Sequence, residues 1–231
     1  GLFIQGQYES GPVTAFAVYG FSTIEYGFTD HFRRAATGGE YELESDALDG
    51  HQVKGGIQYR FMDGLSAFVN AGFVDKVPNF DGVINDSTGT LVDAGNETFY
   101  SYEAGVRYET PGRTFNVSAS VYHTEWEDRT TSSVNTTDDT VTYLRGMNSI
   151  YKGIEIENAW QPLRWLRFDA AASFGRWIYT DNVNGEAFDL SSGTPVQTTS
   201  RVFIRDLKVG DAPQSQVAYA ATFFPVDGLS V

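Results

Sequence analysis

Tyr100-Ser101-Tyr102-Glu103-Ala104-Gly105-Val106-Arg107-Tyr108-Glu109 sorts its residues into two sets. The even positions carry Tyr100, Tyr102, Ala104, Val106 and Tyr108; the odd positions carry Ser101, Glu103, Gly105, Arg107 and Glu109. A helix would mix these sets on every face, whereas an extended strand puts them on opposite sides. Beyond the turn Thr110-Pro111-Gly112-Arg113 the alternation resumes, with Phe115, Val117, Ala119 and Val121 set against Asn116, Ser118 and Ser120. Two alternating runs joined by a Pro-Gly turn predict an antiparallel hairpin.

The same design extends in both directions. Val53, Gly55, Ile57, Tyr59 and Phe61 alternate with Gln52, Lys54, Gly56, Gln58 and Arg60, and Leu65, Ala67, Val69, Ala71 and Phe73 follow the Asp63-Gly64 turn. Leu166, Phe168, Ala170, Ala172 and Phe174 alternate with Arg167, Asp169, Ala171, Ser173 and Gly175, and Val217, Tyr219, Ala221 and Phe223 form a last stripe. The pattern predicts about ten strands, counting partial ones at both ends. Five tight turns divide them, at Gly11-Pro12-Val13-Thr14, Phe61-Met62-Asp63-Gly64, Thr110-Pro111-Gly112-Arg113, Gln161-Pro162-Leu163-Arg164 and Phe224-Pro225-Val226-Asp227-Gly228. Between the turns lie polar excursions at about Thr29 to Gly50, Val77 to Asn96, Thr130 to Ser149 and Asp181 to Asp211. Connections that are short on one side and long on the other predict an all-β, antiparallel up-and-down barrel segment whose two rims differ.

Composition narrows the classes. The 231 residues show no linker, so residues 1–231 are read as one partial barrel domain without an internal boundary. No apolar run approaches the roughly 20 residues of a membrane helix, but alternating strands can cross a bilayer without such a run. The absence of Cys excludes disulfide scaffolds, thiolate zinc sites and thiol nucleophiles. A net charge of -14 argues against nucleic acid as a partner, because a polyanion needs stripes of Lys and Arg to displace its counterions. The start at Gly1-Leu2-Phe3-Ile4 has no basic leader and enters directly into a strand pattern, so either a signal peptide has been removed or N-terminal sequence is missing. Leu229-Ser230-Val231 begins a further strand, so sequence is expected to be missing at that end too.

Alternation alone leaves the apolar stripe facing either a second sheet, as in a sandwich, or lipid, as in a barrel. Three features favour lipid. Val13 to Phe28 carries strand character for sixteen positions, longer than the usual five or six of a sandwich strand. Aromatic residues gather at strand ends, with Tyr19, Phe21, Tyr26 and Phe28 near one rim and Phe61, Trp160 and Trp165 near the short-turn rim, where amphipathic rings suit headgroups. Ala and Gly stand between large apolar residues, in gaps that acyl chains fill and a protein core would leave as cavities.

Several motifs then resemble one family, the TonB-dependent receptors of the Gram-negative outer membrane. Ser66 to Pro78 is similar to that family's strand ending in Lys-x-Pro, here Lys76-Val77-Pro78. Asn96-Glu97 and Tyr102-Glu103-Ala104-Gly105-Val106-Arg107-Tyr108 follow, then Tyr122-His123-Thr124-Glu125-Trp126-Glu127-Asp128, and then Gly153-Ile154-Glu155-Ile156-Glu157 with Pro162-Leu163. Their order and spacing agree with the family across about residues 51 to 225. The resemblance implies a 22-stranded transmembrane barrel closed by a plug. It also implies a TonB complex engaged through the missing N-terminal part, and import of an iron chelate, cobalamin or an oligosaccharide. The plug and an aromatic-ended terminal strand are absent from this stretch. An open edge in lipid would leave unpaired backbone groups costing several kcal/mol each, so the end strands are expected to find neighbours outside it.

Glu103, Arg107, Glu155, Glu157, Arg167 and Asp169 fall on the polar stripes and are the lumen-facing candidates. They are expected to form a hydrogen-bonded lumen lattice with no selectivity role, the alternatives being contact with the plug or lining the route of a substrate. Tyr41, Glu42, Glu44, Phe80, Asp81, Phe188 and Asp189 lie in the polar excursions and are the candidate contacts of a small-molecule or oligosaccharide cargo. His31, His51 and His123 lack metal-ligand spacing, and no nucleophile accompanies Glu125, Glu127 or Asp128. No cofactor, metal site or catalytic residue is expected. A passive porin-like channel and a secreted β-sandwich binding module remain the alternatives.

Overall fold

A computed structural model describes residues 1–34, 39–92, 95–192, 194–210 and 212–225. The chain opens with β1 (Leu2–Ser10) and β2 (Val13–Ile24), then β3 (Gly27–Arg34) and β4 (Glu40–Glu44), then β5 (Leu48–Met62) and β6 (Leu65–Lys76). A one-turn helix α1 (Phe80–Val83) and the short β7 (Ile84–Asn85) and β8 (Thr90–Leu91) precede β9 (Glu97–Glu109) and β10 (Phe115–Asn135). β11 (Thr140–Leu163), β12 (Leu166–Tyr179), β13 (Val183–Asp189), β14 (Val196–Val202) and β15 (Ser215–Phe223) complete it.

Nine strands form one antiparallel wall in the order β1-β2-β5-β6-β9-β10-β11-β12-β15, and β13 and β14 continue from the distal half of β11. Of the expected strands, only the partial one at Leu229-Ser230-Val231 falls outside the described residues, as do the last three residues of the turn at Phe224 to Gly228. Tight turns join neighbours at one rim. At Gly64 the chain takes φ +81, and a Cβ there would lie 2.0 Å from the Glu109 carbonyl oxygen, so this turn requires glycine.

Register turns local alternation into two continuous faces. Ala15, Ile57, Val69, Ala104, Val121, Ile154 and Phe174 are successive cross-strand partners, an apolar row crossing seven strands. Five of these side chains are about half exposed, from 49% at Ile154 to 55% at Val69. Among the described residues no second sheet covers them, which removes the sandwich packing. Apart from Phe68, the buried apolar residues among those described sit in the distal connections or in the distal half of β11, including Val83, Ile84, Tyr143, Met147 and Phe188.

Three expectations need correction. The strand predicted from Val13 to Phe28 stops at Ile24, and the chain re-forms a separate hairpin of β3 with β4. Tyr26 donates its hydroxyl hydrogen to the Pro78 carbonyl, and the Tyr26 and Phe28 rings pack on Phe80, so neither belongs to a rim girdle. The excursion at Thr130 to Ser149 is largely strand and that at Asp181 to Asp211 carries two strands: β10 and β11 run for 21 and 24 residues, and β13 and β14 extend their distal sheet. A crossing needs only about 9–11 residues. The distal parts are polar because both of their faces leave the membrane-type band, and polarity alone does not abolish a hydrogen-bonded ladder.

Candidate functional site

The face opposite the apolar row is built from polar residues, glycines and rings laid flat. Phe16, Phe68 and Tyr122 stand directly across from Gly56, Gly105 and Gly153. A Cβ on those glycines would come within 2.6, 2.6 and 2.7 Å of the respective ring or its hydroxyl. Each ring therefore lies along the wall instead of projecting from it. Gly105→Val is expected to destabilise the barrel by about 1–3 kcal/mol, since the new side chain must displace both Phe68 and the Ala119 carbonyl, 2.7 Å away. Thermal unfolding in detergent micelles reads this directly, and an unchanged melting temperature would contradict it.

Beside Gly72 this face holds a hollow of about 540 Å³, with Lys54, Asn70, Ser101, Glu103 and Thr124 in its lining. Asn70 Nδ2 donates to Glu103 Oε2 at 3.0 Å, and the Ser101 and Thr124 hydroxyls meet at 2.7 Å. Arg107 lies over the Phe68 ring, 4.4 Å from its centroid. Arg167 donates through Nε and Nη2 to Asp169, two residues along the same strand, at 2.6–3.0 Å. Glu155 and Glu157, exposed two residues apart on β11, make no hydrogen bond or ion pair among the described residues. The six lumen candidates thus share one face, but four are satisfied locally and two carboxylates stand free.

Toward the long-loop rim the same face carries an aromatic ladder across four strands. Phe99 stacks on Trp126 at 4.6 Å, Trp126 approaches Tyr151 at 6.3 Å, and Tyr151 approaches Trp177 at 5.8 Å. The Trp177 indole donates to the Tyr122 hydroxyl at 2.9 Å. Lys76 and Arg129 both lie over the Trp126 ring, at 5.9 and 4.6 Å. Below it Glu97, only 1% exposed, accepts from Lys76 Nζ at 2.9 Å, Trp126 Nε1 at 3.1 Å and the Thr130 backbone N–H at 3.4 Å. Sequence reasoning found Glu97 within a motif but did not mark it as a site residue. Its one available signal was that Lys76, Glu97 and Trp126 all belong to motif segments.

The loop candidates fall into two neighbouring groups. Tyr41 donates to the Gly89 carbonyl at 2.5 Å, Phe80 packs on Tyr26 and Phe28, and Asp81 accepts from the Ser132 hydroxyl. Phe188 is buried, edge-on to Tyr143 at 5.8 Å. Asp189 is exposed, and the Ser191 hydroxyl and amide hold its carboxyl below the usual range. Glu42 and Glu44 are exposed on β4.

Tyr143 joins the groups, because its hydroxyl donates to Asp86 at 2.7 Å and meets Ser87 at 3.3 Å while its ring meets Phe188. Burial, helped by Asp86 and partly offset by Ser87, pushes this hydroxyl up to about 12. The raised value belongs to the neutral form, so its contribution is complete below about 10 and is lost as pH rises through about 12. In tyrosinate absorbance titrations, wild type minus Tyr143→Phe should show one group with a midpoint near 12. A difference midpoint near 10 would contradict the buried contact.

A wall with an uncovered apolar face, a polar face carrying flattened rings, short turns at one rim and a packed loop cluster at the other defines the outer-membrane type of β-barrel. The TonB-dependent receptor-like β-barrel model matches residues 3–224, and the chain belongs to that family. Two solved structures are similar to it. One is the ferric-catecholate import receptor Fiu of E. coli K12 in its closed form, at 12% identity and TM-score 0.48, covering 94% of this chain and 39% of that one. The other is the pyoverdine outer-membrane receptor FpvA of Pseudomonas aeruginosa PAO1 bound to pyoverdine, at 13% identity and TM-score 0.42, covering 99% of this chain and 46% of that one. The chain therefore spans less than half the length of either. No curated protein matches the sequence.

Proposed function

We propose that this chain is part of the wall of an outer-membrane active transport receptor of a Gram-negative bacterium. The receptor imports a scarce solute, an iron chelate, cobalamin or an oligosaccharide, with TonB-dependent energy coupling. The observation that carries this reading is the family match over residues 3–224. The two unlike faces support it: the apolar rows meet lipid, and the polar face encloses a plug domain from the same polypeptide. Glu155 and Glu157 have no partner on the wall and are assigned to the plug. The ladder from Phe99 to Trp177 lines the solute's path, where flat rings and the cations over Trp126 offer stacking and charge. Glu42, Glu44 and Asp189 are the exposed loop groups placed to meet solute first, with Tyr41, Phe80, Asp81 and Phe188 shaping the loop surface around them. Family members are transport receptors, and no catalytic role is assigned.

Solute accumulation by cells carrying the full-length gene tests the proposal. Accumulation is expected to stop when the TonB complex is deleted or the proton gradient is collapsed. Uptake that continues under both conditions would replace the receptor with a passive porin-like channel. Recovery of the full-length protein from the aqueous phase without detergent would replace it with a secreted module.

A further inference from the structure

On the outward stripes of the wall strands, Lys and Arg occur at one level only. Lys152 of β11 and Arg176 of β12 are direct cross-strand partners, and the next pair along that stripe, Ile154 with Phe174, is apolar. Like charges directly opposed on a sheet repel one another. Neither side chain makes an ion pair or hydrogen bond among the described residues, and both are exposed. Lys208 joins them, because it bridges to Ile178, which follows Arg176 on the same outward stripe. The nearby Glu125 is held by His123 at 3.0 Å. In a chain with 16 Lys and Arg against 30 Asp and Glu, three cations without an ion pair or hydrogen bond among the described residues, two at one level and Lys208 one stripe position beyond, are left seeking an anion.

Their height specifies what kind. From Lys152 to Trp160, which stacks on Phe168 at 5.8 Å near the short-turn rim, the strand advances eight residues. That is about 27 Å along the strand, or about 20 Å along the normal at a tilt of about 40°, close to the roughly 25 Å apolar band of such barrels. The cations therefore stand where headgroups begin on the long-loop side, above Ile154, Phe174 and Val217.

We propose that Lys152, Arg176 and Lys208 bind the phosphate of a phosphorylated lipid in the outer leaflet, with its acyl chains lying along Ile154, Phe174 and Val217. This inference rests on the transmembrane-barrel reading above. The guanidinium forks onto phosphate oxygens while the two ammonium groups act as point charges.

Native mass spectrometry of the full-length protein in neutral detergent tests it, with dioleoyl phosphatidic acid as probe. Dioleoyl phosphatidylcholine and inorganic phosphate are run beside it. Wild type should retain phosphatidic acid at least tenfold better than phosphatidylcholine and should retain no inorganic phosphate. Lys152→Gln/Arg176→Gln should lose that preference, while the inner-face variant Lys54→Gln/Arg60→Gln keeps it. Retention by the outer-face double variant, equal binding of phosphatidylcholine, or capture of inorganic phosphate alone would overturn the site. A full-length protein that stays soluble without detergent would overturn the barrel reading and this site together. A barrel held in micelles with no headgroup preference would overturn this site alone.

Discussion

Glu97→Ala is expected to lower barrel stability by about 3 kcal/mol, the low end of the cost of breaking a buried ion pair. Three donors converge on this carboxylate. Lys76 supplies charge, the Trp126 indole supplies a directional bond, and the Thr130 backbone N–H lies where β10 slips register between Arg129 and Thr131. A bulge leaves backbone groups without ladder partners, and here a side chain from β9 takes one of them up. Alanine would strand the indole and the buried Thr130 amide. Lys76, 47% exposed, can turn to water, which holds the cost at the lower end. Glu97→Gln keeps one acceptor oxygen for Lys76 and Trp126 but turns an NH2 toward the Thr130 amide, so it should cost about 1–2 kcal/mol, less than alanine. Thermal unfolding in micelles separates the two variants. Equal melting of wild type and Glu97→Ala would show that the network bears no stability.

Glu155→Gln/Glu157→Gln is expected to act in the opposite way, leaving the wall's melting within about 0.5 kcal/mol of wild type while loosening the proposed plug by about 2–5 kcal/mol. Both carboxylates project from the polar face without a wall partner, so their removal breaks nothing within the sheet. A partner charge on the plug would be left buried and unpaired. The midpoint for plug release in urea, followed by protease accessibility in the full-length protein, measures this. The same change at Arg167 and Asp169, which satisfy each other within β12, should leave plug release unaltered. Loss of solute affinity with plug seating and melting unchanged would instead assign Glu155 and Glu157 to the cargo.

The hairpins were readable from residues such as Tyr100 to Glu109 and Phe115 to Val121 because a strand sorts its side chains by a period of two, a local property. The motif segments containing Lys76, Glu97 and Trp126 were readable too, but not their convergence on one buried carboxylate. Phe188 looked like an exposed loop ring, yet it lies 3% exposed beneath Tyr143, because the loop folds back as β13 onto β11. Tyr26 and Phe28 looked like rim residues for the same reason: their spacing is strand-like, but their partner Phe80 lies more than fifty positions away.

By itself the sequence determined that strands alternate, that turns are short on one side and long on the other, and that neither disulfide nor thiolate chemistry is available. Those are properties of neighbouring residues and of composition. Which residues share a level was decided only by tertiary structure. Phe68 covering Gly105, Lys76 meeting Glu97 and Lys152 opposing Arg176 all depend on the register between strands joined across turns and long excursions. A slip of one residue would exchange the two faces, and it is the summed pairing along whole strands, not any single segment, that selects the register.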